Sequence, residues 1–432
     1  MIEWLIGSLV GCLVYILFIH KINYVQNLKN INERRKYLKN RKIGDLPPVY
    51  PNGWFALLES AQLTKGQVKH VCALGENFAV FRTLKGKVHI VDAYCPHLGA
   101  NLAEGGKVKD DCIECPFHSW KFNGDGKCTS IPYSKTDPSK MEIKSWKSRE
   151  VNEIIFVWYH AELADPEWEL EPVKQITDGS WRFQGRNEFY INCHIQEIPE
   201  NGADWAHLSA VHGPAKIIQM IPSNIVRHSW TGSGWRSYQS SKCADVLSND
   251  NNSQQTVNDK LHINSNNSNN NNNNNNNNIN NINNNNNNNS SNSKKHRATI
   301  NLCHNLIFFN KWSVINLNIN VEQIGPGYVE LFVDTTFGPM YVIQTVTPLE
   351  PLLQRVTHYI YSPLLLSPYA KIVFLGECFM FERDIAVWNN KKYQKNPKLV
   401  REDHTISSYR KWYSNFYTDN SPTYQSVQSL DW

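Results

Sequence analysis

Four residues arranged as two pairs carry the first chemistry legible in the sequence. They are Cys95-x-His97 and Cys115-x-x-His118, with seventeen residues between His97 and Cys115. Turn formers flank each pair, Pro96 and Gly99 in the first and Pro116 in the second, so each reads as a tight loop presenting one thiolate and one imidazole. Two thiolates and two imidazoles are the ligand set of a [2Fe-2S] centre in which two histidines replace two cysteines on one iron and raise its potential. Such a centre moves single electrons. One pair alone would read as ordinary buried residues. Cys112-x-x-Cys115 also permits a structural zinc site, although that leaves Cys95 and His97 without a task; Cys112 and Cys128 are otherwise extra thiols.

A second set lies downstream, in Asp204-x-x-His207-x-x-x-x-His212. Asp204 and His207 are three apart and share a helical face. His212 stands five beyond His207, about 140° around an ideal helix, so both reach one metal only where the helix unwinds. Gly213-Pro214 supplies such an end. Two histidines and a carboxylate with open positions form the facial triad that binds non-haem Fe(II) and activates O2. Two structural histidines on a helix are the plainer reading of this segment taken alone.

Small β elements must position the first set. From residue 54 to about 133, β-patterned runs (67–73, 78–83, 88–93) alternate with turns, and 150–158 reads as a closing strand, giving a small β domain over 54–165. A second domain, 181–247 and 297–400, opens with a strand over 188–194 and a helix that Pro199 and Asn201 start and Gly213-Pro214 stops. Runs at 299–309, 313–321, 328–337, 341–347 and 357–361 lead to a long helix over 368–392. Strands followed by a terminal helix predict an α+β fold with the helix lying in a curved antiparallel sheet. Residues 248–293 are mostly Asn with some Ser and cannot bury a core, so 248–296 is expected to be a disordered insertion, and 401–432 a C-terminal tail.

The N-terminus is apolar. Residues 4–19 carry no charge and would span about 24 Å as a helix, short of a hydrocarbon core of roughly 30 Å but workable with thinning, which predicts a transmembrane anchor over 1–20. A cleaved signal peptide would want positive charge before the run, and Glu3 precedes it. Lys21, Lys29, Arg34, Arg35, Lys36, Lys39, Arg41 and Lys42 follow it, in a basic segment that leads into a Pro-rich linker ending at 53. That distribution predicts a single pass with the bulk of the protein cytosolic. Of the 44 basic and 39 acidic residues, eight and one (Glu33) lie in this segment, leaving 36 against 38, which excludes a nucleic-acid binder by charge. Ten cysteines without disulfide-like spacing suit a reducing compartment.

The two knuckles, with Gly105-Gly106 between them, resemble the Rieske domain family, and Asn201-x-x-Asp204-x-x-His207-x4-His212 resembles the Rieske non-haem iron oxygenases. Further stretches narrow the likeness: Cys95-Pro-His-Leu-Gly-Ala-Asn-Leu102, Cys112-Ile-Glu-Cys-Pro-Phe-His-Ser-Trp120, Phe337-Gly-Pro339, Thr347-Pro-Leu-Glu-Pro351 and Glu382-Arg-Asp-Ile-Ala-Val-Trp-Asn-Asn-Lys-Lys-Tyr393. Together with the apolar N-terminus, these look like the Neverland family of cholesterol 7-desaturases over residues 45–245 and 297–400. The resemblance implies an N-terminal transmembrane helix, a small all-β Rieske [2Fe-2S] domain held on Cys95, His97, Cys115 and His118, and an α+β catalytic domain. It implies mononuclear Fe2+ on His207, His212 and a downstream carboxylate, Asp384 by best fit, with Glu377 as its rival seven residues earlier on the same helical face. Asp204 would then relay the electron by bridging to a cluster histidine of a neighbouring subunit in a homotrimer. The implied reaction is oxidation of cholesterol to 7-dehydrocholesterol, consuming O2 and NAD(P)H through a separate reductase, since no dinucleotide glycine fingerprint is present. A membrane home, expected to be the endoplasmic reticulum, suits a sterol substrate. A sterol or ketosteroid hydroxylase would share every ligand, a chlorophyll-pathway oxygenase would want a transit peptide, and an electron carrier would need only the first domain.

Overall fold

The computed structural model describes residues 2–26, 42–213, 225–238 and 294–428. Most of the basic segment and the Asn-rich insertion lie outside the described residues.

Residues 53–159 build three small antiparallel sheets. The first joins Val68–Ala73, Glu76–Arg82, Val88–Asp92 and Ser145–Trp146; the second joins Ser148–Val151, Ile154–Tyr159 and Gly53–Glu59. The third, of Lys107–Lys109, Cys112–Glu114, Lys121–Phe122 and Cys128–Ser130, carries the second knuckle in its central turn. The strand expected over 150–158 is in fact a hairpin. Asn152 and Glu153 have φ of +52° and +63°, the left-handed pair of a tight hairpin turn, and no glycine announces it. Burial on both faces also hides the usual alternation, because Ile154, Ile155, Phe156 and Val157 are all 0% exposed. Phe156 packs edge-on against Tyr328 of the second domain at 5.4 Å, so the two domains share a core.

The second domain is one eight-stranded sheet. In chain order its strands are β1 (Ile22–Val25), β2 (Arg182–Ile191), β3 (Val226–Ser237), β4 (Arg297–Phe308), β5 (Trp312–Ile324), β6 (Tyr328–Thr335), β7 (Met340–Glu350) and β8 (Leu353–Ser362), and in space they run β1-β2-β8-β7-β6-β5-β4-β3. All neighbours are antiparallel except β1, which runs parallel to β2 with Ile22 facing Gly185. A side chain at 185 would meet the Ile22 backbone at 2.5 Å, so the glycine admits this strand. β3 was not among the expected runs, since Gly232, Gly234 and several polar residues dilute its pattern.

Five helices matter to the site: α1 (Ile2–Val14), α2 (Glu197–Glu200), α3 (Trp205–Val211), α4 (Ser367–Trp388) and α5 (His404–Tyr413). A π-helical turn, Tyr15–Ile19, extends α1, and Lys371 of α4 donates to its carbonyls at Ile16 and Leu17 at 3.0 and 2.9 Å. The helix expected to run through 199–212 breaks instead at Asp204, whose extended backbone (ψ 93°) ends one helical piece and caps the next. Among the described residues the helix long and apolar enough to cross a membrane is 364–388, which holds α4; the N-terminal stretch, Gly7–Ile19, is shorter. α4 passes that test because both its faces are apolar. Ala370, Phe374, Cys378 and Ile385 enter the core while Ile372 and Phe379 face outward. The segment set down as a tail also folds: Tyr409, Trp412 and Tyr413 of α5 pack on Ala298, Ile300 and Val329 of the sheet.

Candidate active site

The two knuckles are the same turn built twice. Cys95 N–H donates to Ala100 O at 2.9 Å and Cys95 O accepts from Gly99 at 2.9 Å; Cys115 N–H donates to Trp120 O at 2.8 Å and Cys115 O accepts from Ser119 at 3.1 Å. Each closes on a left-handed residue, Gly99 at φ +73° and Ser119 at φ +59°. The thiols of Cys95 and Cys115 come together at 2% exposure each, and burial pushes Cys95 up to about 11, with Cys115 adding to it. The His97 ring lies edge-on to His118 at 4.6 Å and stacks on Trp120 at 4.8 Å, while Trp120 Nε1 donates to the Tyr133 hydroxyl at 2.9 Å. Cys112 and Cys128 turn elsewhere, to Thr129 Oγ1 and Ser130 O, both at 3.6 Å.

The second site forms where α3 ends against α4. Asp204 caps α3 by accepting from His207 N–H at 3.2 Å, and its own backbone carbonyl meets His207 Nδ1, which leaves Nε2 of that ring free. The helix stops at Val211, so His212 is released from it and its ring stands edge-on to His207 at 5.3 Å. Asp384 reaches in from α4, Oδ1 lying 3.2 Å from His212 Nε2. Arg383, beside it, donates to Val211 O at 3.3 Å and ties the two helices together. One potential ligand atom from each of His207, His212 and Asp384 lies within 4.8 Å of the others, the single such group of three or more among the described residues.

Glu377 is not in that group. Its carboxylate accepts from Asn187 Nδ2 at 3.0 Å and faces His358 Nδ1 at 3.6 Å, inside a polar row that continues to Gln344. Desolvation pushes it up to about 8, against the Asn187 hydrogen bond, which lowers it, and with Asp384 adding to the rise. Sequence reasoning missed a further pair, His228 on β3 and His304 on β4, joined Nδ1 to Nε2 at 2.7 Å. Burial drives both below their ordinary value, to about 4 and about 3, and His212 contributes to both shifts, which places them near the iron-type trio. A cavity of about 630 Å³ lies away from this chemistry, lined by Phe18, Trp181, Phe183, Tyr359 and Tyr361 on the opposite face of β8 from His358.

The Rieske [2Fe-2S] domain pattern matches residues 53–147, and the 3-ketosteroid 9alpha-hydroxylase C-terminal domain pattern matches 157–298 and 312–417. Cholesterol 7-desaturase nvd 1 of Ciona intestinalis is 41% identical over 94% of this chain and 77% of its own length. Cholesterol 7-desaturase nvd of Drosophila melanogaster is 40% identical over 95% and 84%. The chain belongs to the cholesterol 7-desaturase family of Rieske oxygenases. At the level of fold, the solved structure of Pseudomonas putida CBB5 NdmA with caffeine superposes with a TM-score of 0.55 at 14% identity, covering 88% of this chain and 92% of that one. The catalytic match reaches residue 417, so α5 is part of the family's second domain.

The donors suit the iron groups of that family. Two buried thiols facing each other ionise only beside a compensating cation, and His97 Nδ1 is buried with no hydrogen-bond partner. Two imidazoles from one helix end and one carboxylate from a second helix suit mononuclear iron.

Proposed function

We propose that this chain is a cholesterol 7-desaturase, converting cholesterol, O2, NAD(P)H and a proton to 7-dehydrocholesterol, NAD(P)+ and two waters through a separate reductase. The observation that carries the reading is identity of about 40% across both domains with relatives of that name, on a chain that gathers His207, His212 and Asp384 within 4.8 Å. Cys95, His97, Cys115 and His118 hold the cluster, and His207, His212 and Asp384 hold the mononuclear iron. Bound together, the two iron groups supply single electrons and the O2 chemistry that removes two hydrogens from the sterol. The residues around them fix geometry. Asp204 holds the His207 tautomer, the end of α3 frees His212, and the Arg383 contact keeps Asp384 opposed to it.

Asp204, half-buried between the donors and the surface, relays electrons by pairing with a cluster histidine of the next subunit in a homotrimer. The N-terminal helix serves as a single-pass anchor in the endoplasmic reticulum with the catalytic domain in the cytosol. Exposed Leu9, Leu13 and Ile19 and the basic run after them support this. The test is incubation of the full chain in vesicles with cholesterol, NADPH and a reductase; a conjugated diene, lighter than substrate by two hydrogens, is expected. The match to a ketosteroid hydroxylase domain favours a second reading, sterol hydroxylation, which mass spectrometry would reveal as a gain of one oxygen.

A further inference from the structure

The inner face of the sheet between α4 and α5 is a strip of aliphatic side chains. Leu302, Leu306, Ile315, Leu317, Ile319 and Leu331 share it across β4, β5 and β6, and four of them, Leu302, Ile315, Ile319 and Leu331, keep part of their surface uncovered. Polar side chains interrupt the strip at its β3–β4 end. Trp230 stands directly across from His304 in register, their rings 4.3 Å apart, and His304 contacts His228. Two atoms there are buried without any partner, Trp230 Nε1 and His304 Nδ1, although His304 is only 5% exposed. An orphaned buried polar atom is costly, and two on rings 4.3 Å apart at the end of an apolar strip mark a place meant for a ligand's polar group.

We propose that Trp230 and His304 receive the 3-hydroxyl of the sterol, an inference that rests on the desaturase reading above. An indole N–H only donates, so it gives its hydrogen to the hydroxyl oxygen. The hydroxyl hydrogen then goes to the lone pair of His304 Nδ1. That tautomer keeps its proton on Nε2, which donates to His228 Nδ1 at 2.7 Å, so one arrangement of protons satisfies all three groups with both rings neutral. Spacing agrees. His228 N–H donates to Gly213 O at 2.9 Å, next to His212, and Trp230 stands one side-chain repeat further along β3, about 7 Å away. In the sterol, O3 and C7 are five bonds apart, about 6 Å at single-bond lengths near 1.5 Å. Seating O3 at Trp230 therefore brings C7 toward the His207, His212 and Asp384 donors. A 3-ketone lacks that hydrogen and is held only when the His228–His304 pair takes its opposite tautomers, whereas a sterol without a 3-oxygen leaves both Trp230 Nε1 and His304 Nδ1 orphaned.

The test uses the full chain in detergent with labelled cholesterol as probe, competed by cholest-5-ene (no 3-oxygen) and by the 3-ketone. The unsubstituted protein is expected to prefer cholesterol at least tenfold over cholest-5-ene, with the 3-ketone between them, and His304→Phe and Trp230→Phe to bring the ratio of cholesterol to cholest-5-ene close to one. The reduced-cluster EPR signal and total iron verify folding, and His304→Asn serves if the phenylalanine variant misfolds. Unchanged ratios in the folded variants, or no preference in the parent, overturn the assignment. Conversion assays on the same samples separate the readings: discrimination in binding without any diene leaves this site standing and removes the desaturase reading.

Discussion

At the scale of the residue, the two centres are separable. His212→Ala removes one proposed ligand of the mononuclear site and touches nothing in the cluster loops. Iron should fall from about three to about two atoms per chain with the Rieske EPR signal intact. Loss of that signal would contradict the division of labour. Glu377 gives a pH test. Its folded-state value is raised to about 8 from an ordinary 4.5, so the folded protein holds a proton that the unfolded chain releases. Stability is therefore highest near the lower value and declines as pH rises toward about 8. Glu377→Gln should flatten the decline in melting temperature between about pH 5 and pH 8, and an unaltered profile would mean that this carboxyl is not raised in the folded protein. The resemblance favours Asp384 and the helical face leaves Glu377 as its rival, and in the fold only Asp384 lies against His212. Two carboxylates seven apart on one helical face are equivalent to any periodicity count, and what separates them is which strand or helix each one faces.

At the scale of the element, the 204–212 segment shows how a helix boundary becomes chemistry. Asp204 has two separable roles, cap and proposed relay. Asp204→Ala should cost about 1 kcal/mol of helix capping and loosen iron at His207. Asp204→Asn keeps a capping oxygen and removes the charge, so it should retain iron while electron delivery to the second site slows by at least tenfold, measured as single-turnover reoxidation of the reduced cluster. Equal rates in the Asp204→Asn variant and the parent protein would confine Asp204 to its capping role. The predicted unwinding at Gly213-Pro214 is realised one residue earlier, where His212 leaves the helix. The hairpin at Asn152-Glu153 was not legible, because a strand buried on both faces loses the alternation by which hairpins are recognised, and the turn carries no glycine.

At the scale of the whole molecule, the cluster domain and the catalytic sheet are held by a common apolar core around Phe156, Trp158 and Tyr328. Phe156→Ala should cost about 3–5 kcal/mol and lower a single unfolding transition read by both cluster absorbance and far-ultraviolet dichroism. Two separate transitions would show independent domains. The N-terminal segment is likewise part of the catalytic body, through β1 beside Gly185 and the Lys371 clamp. Short-range signals alone determined the knuckles, the 207–212 histidine pair, the α+β class and the long helix, because ligand spacing, turn formers and hydrophobic period are properties of neighbouring residues. The contact of Asp384 with His212, the His228–His304 pair with Trp230, the docking of residues 22–25 and the burial of α5 were decided only by tertiary structure. Each joins residues more than 70 positions apart, and such contacts exist only once the sheet has curved and its strands have found their register.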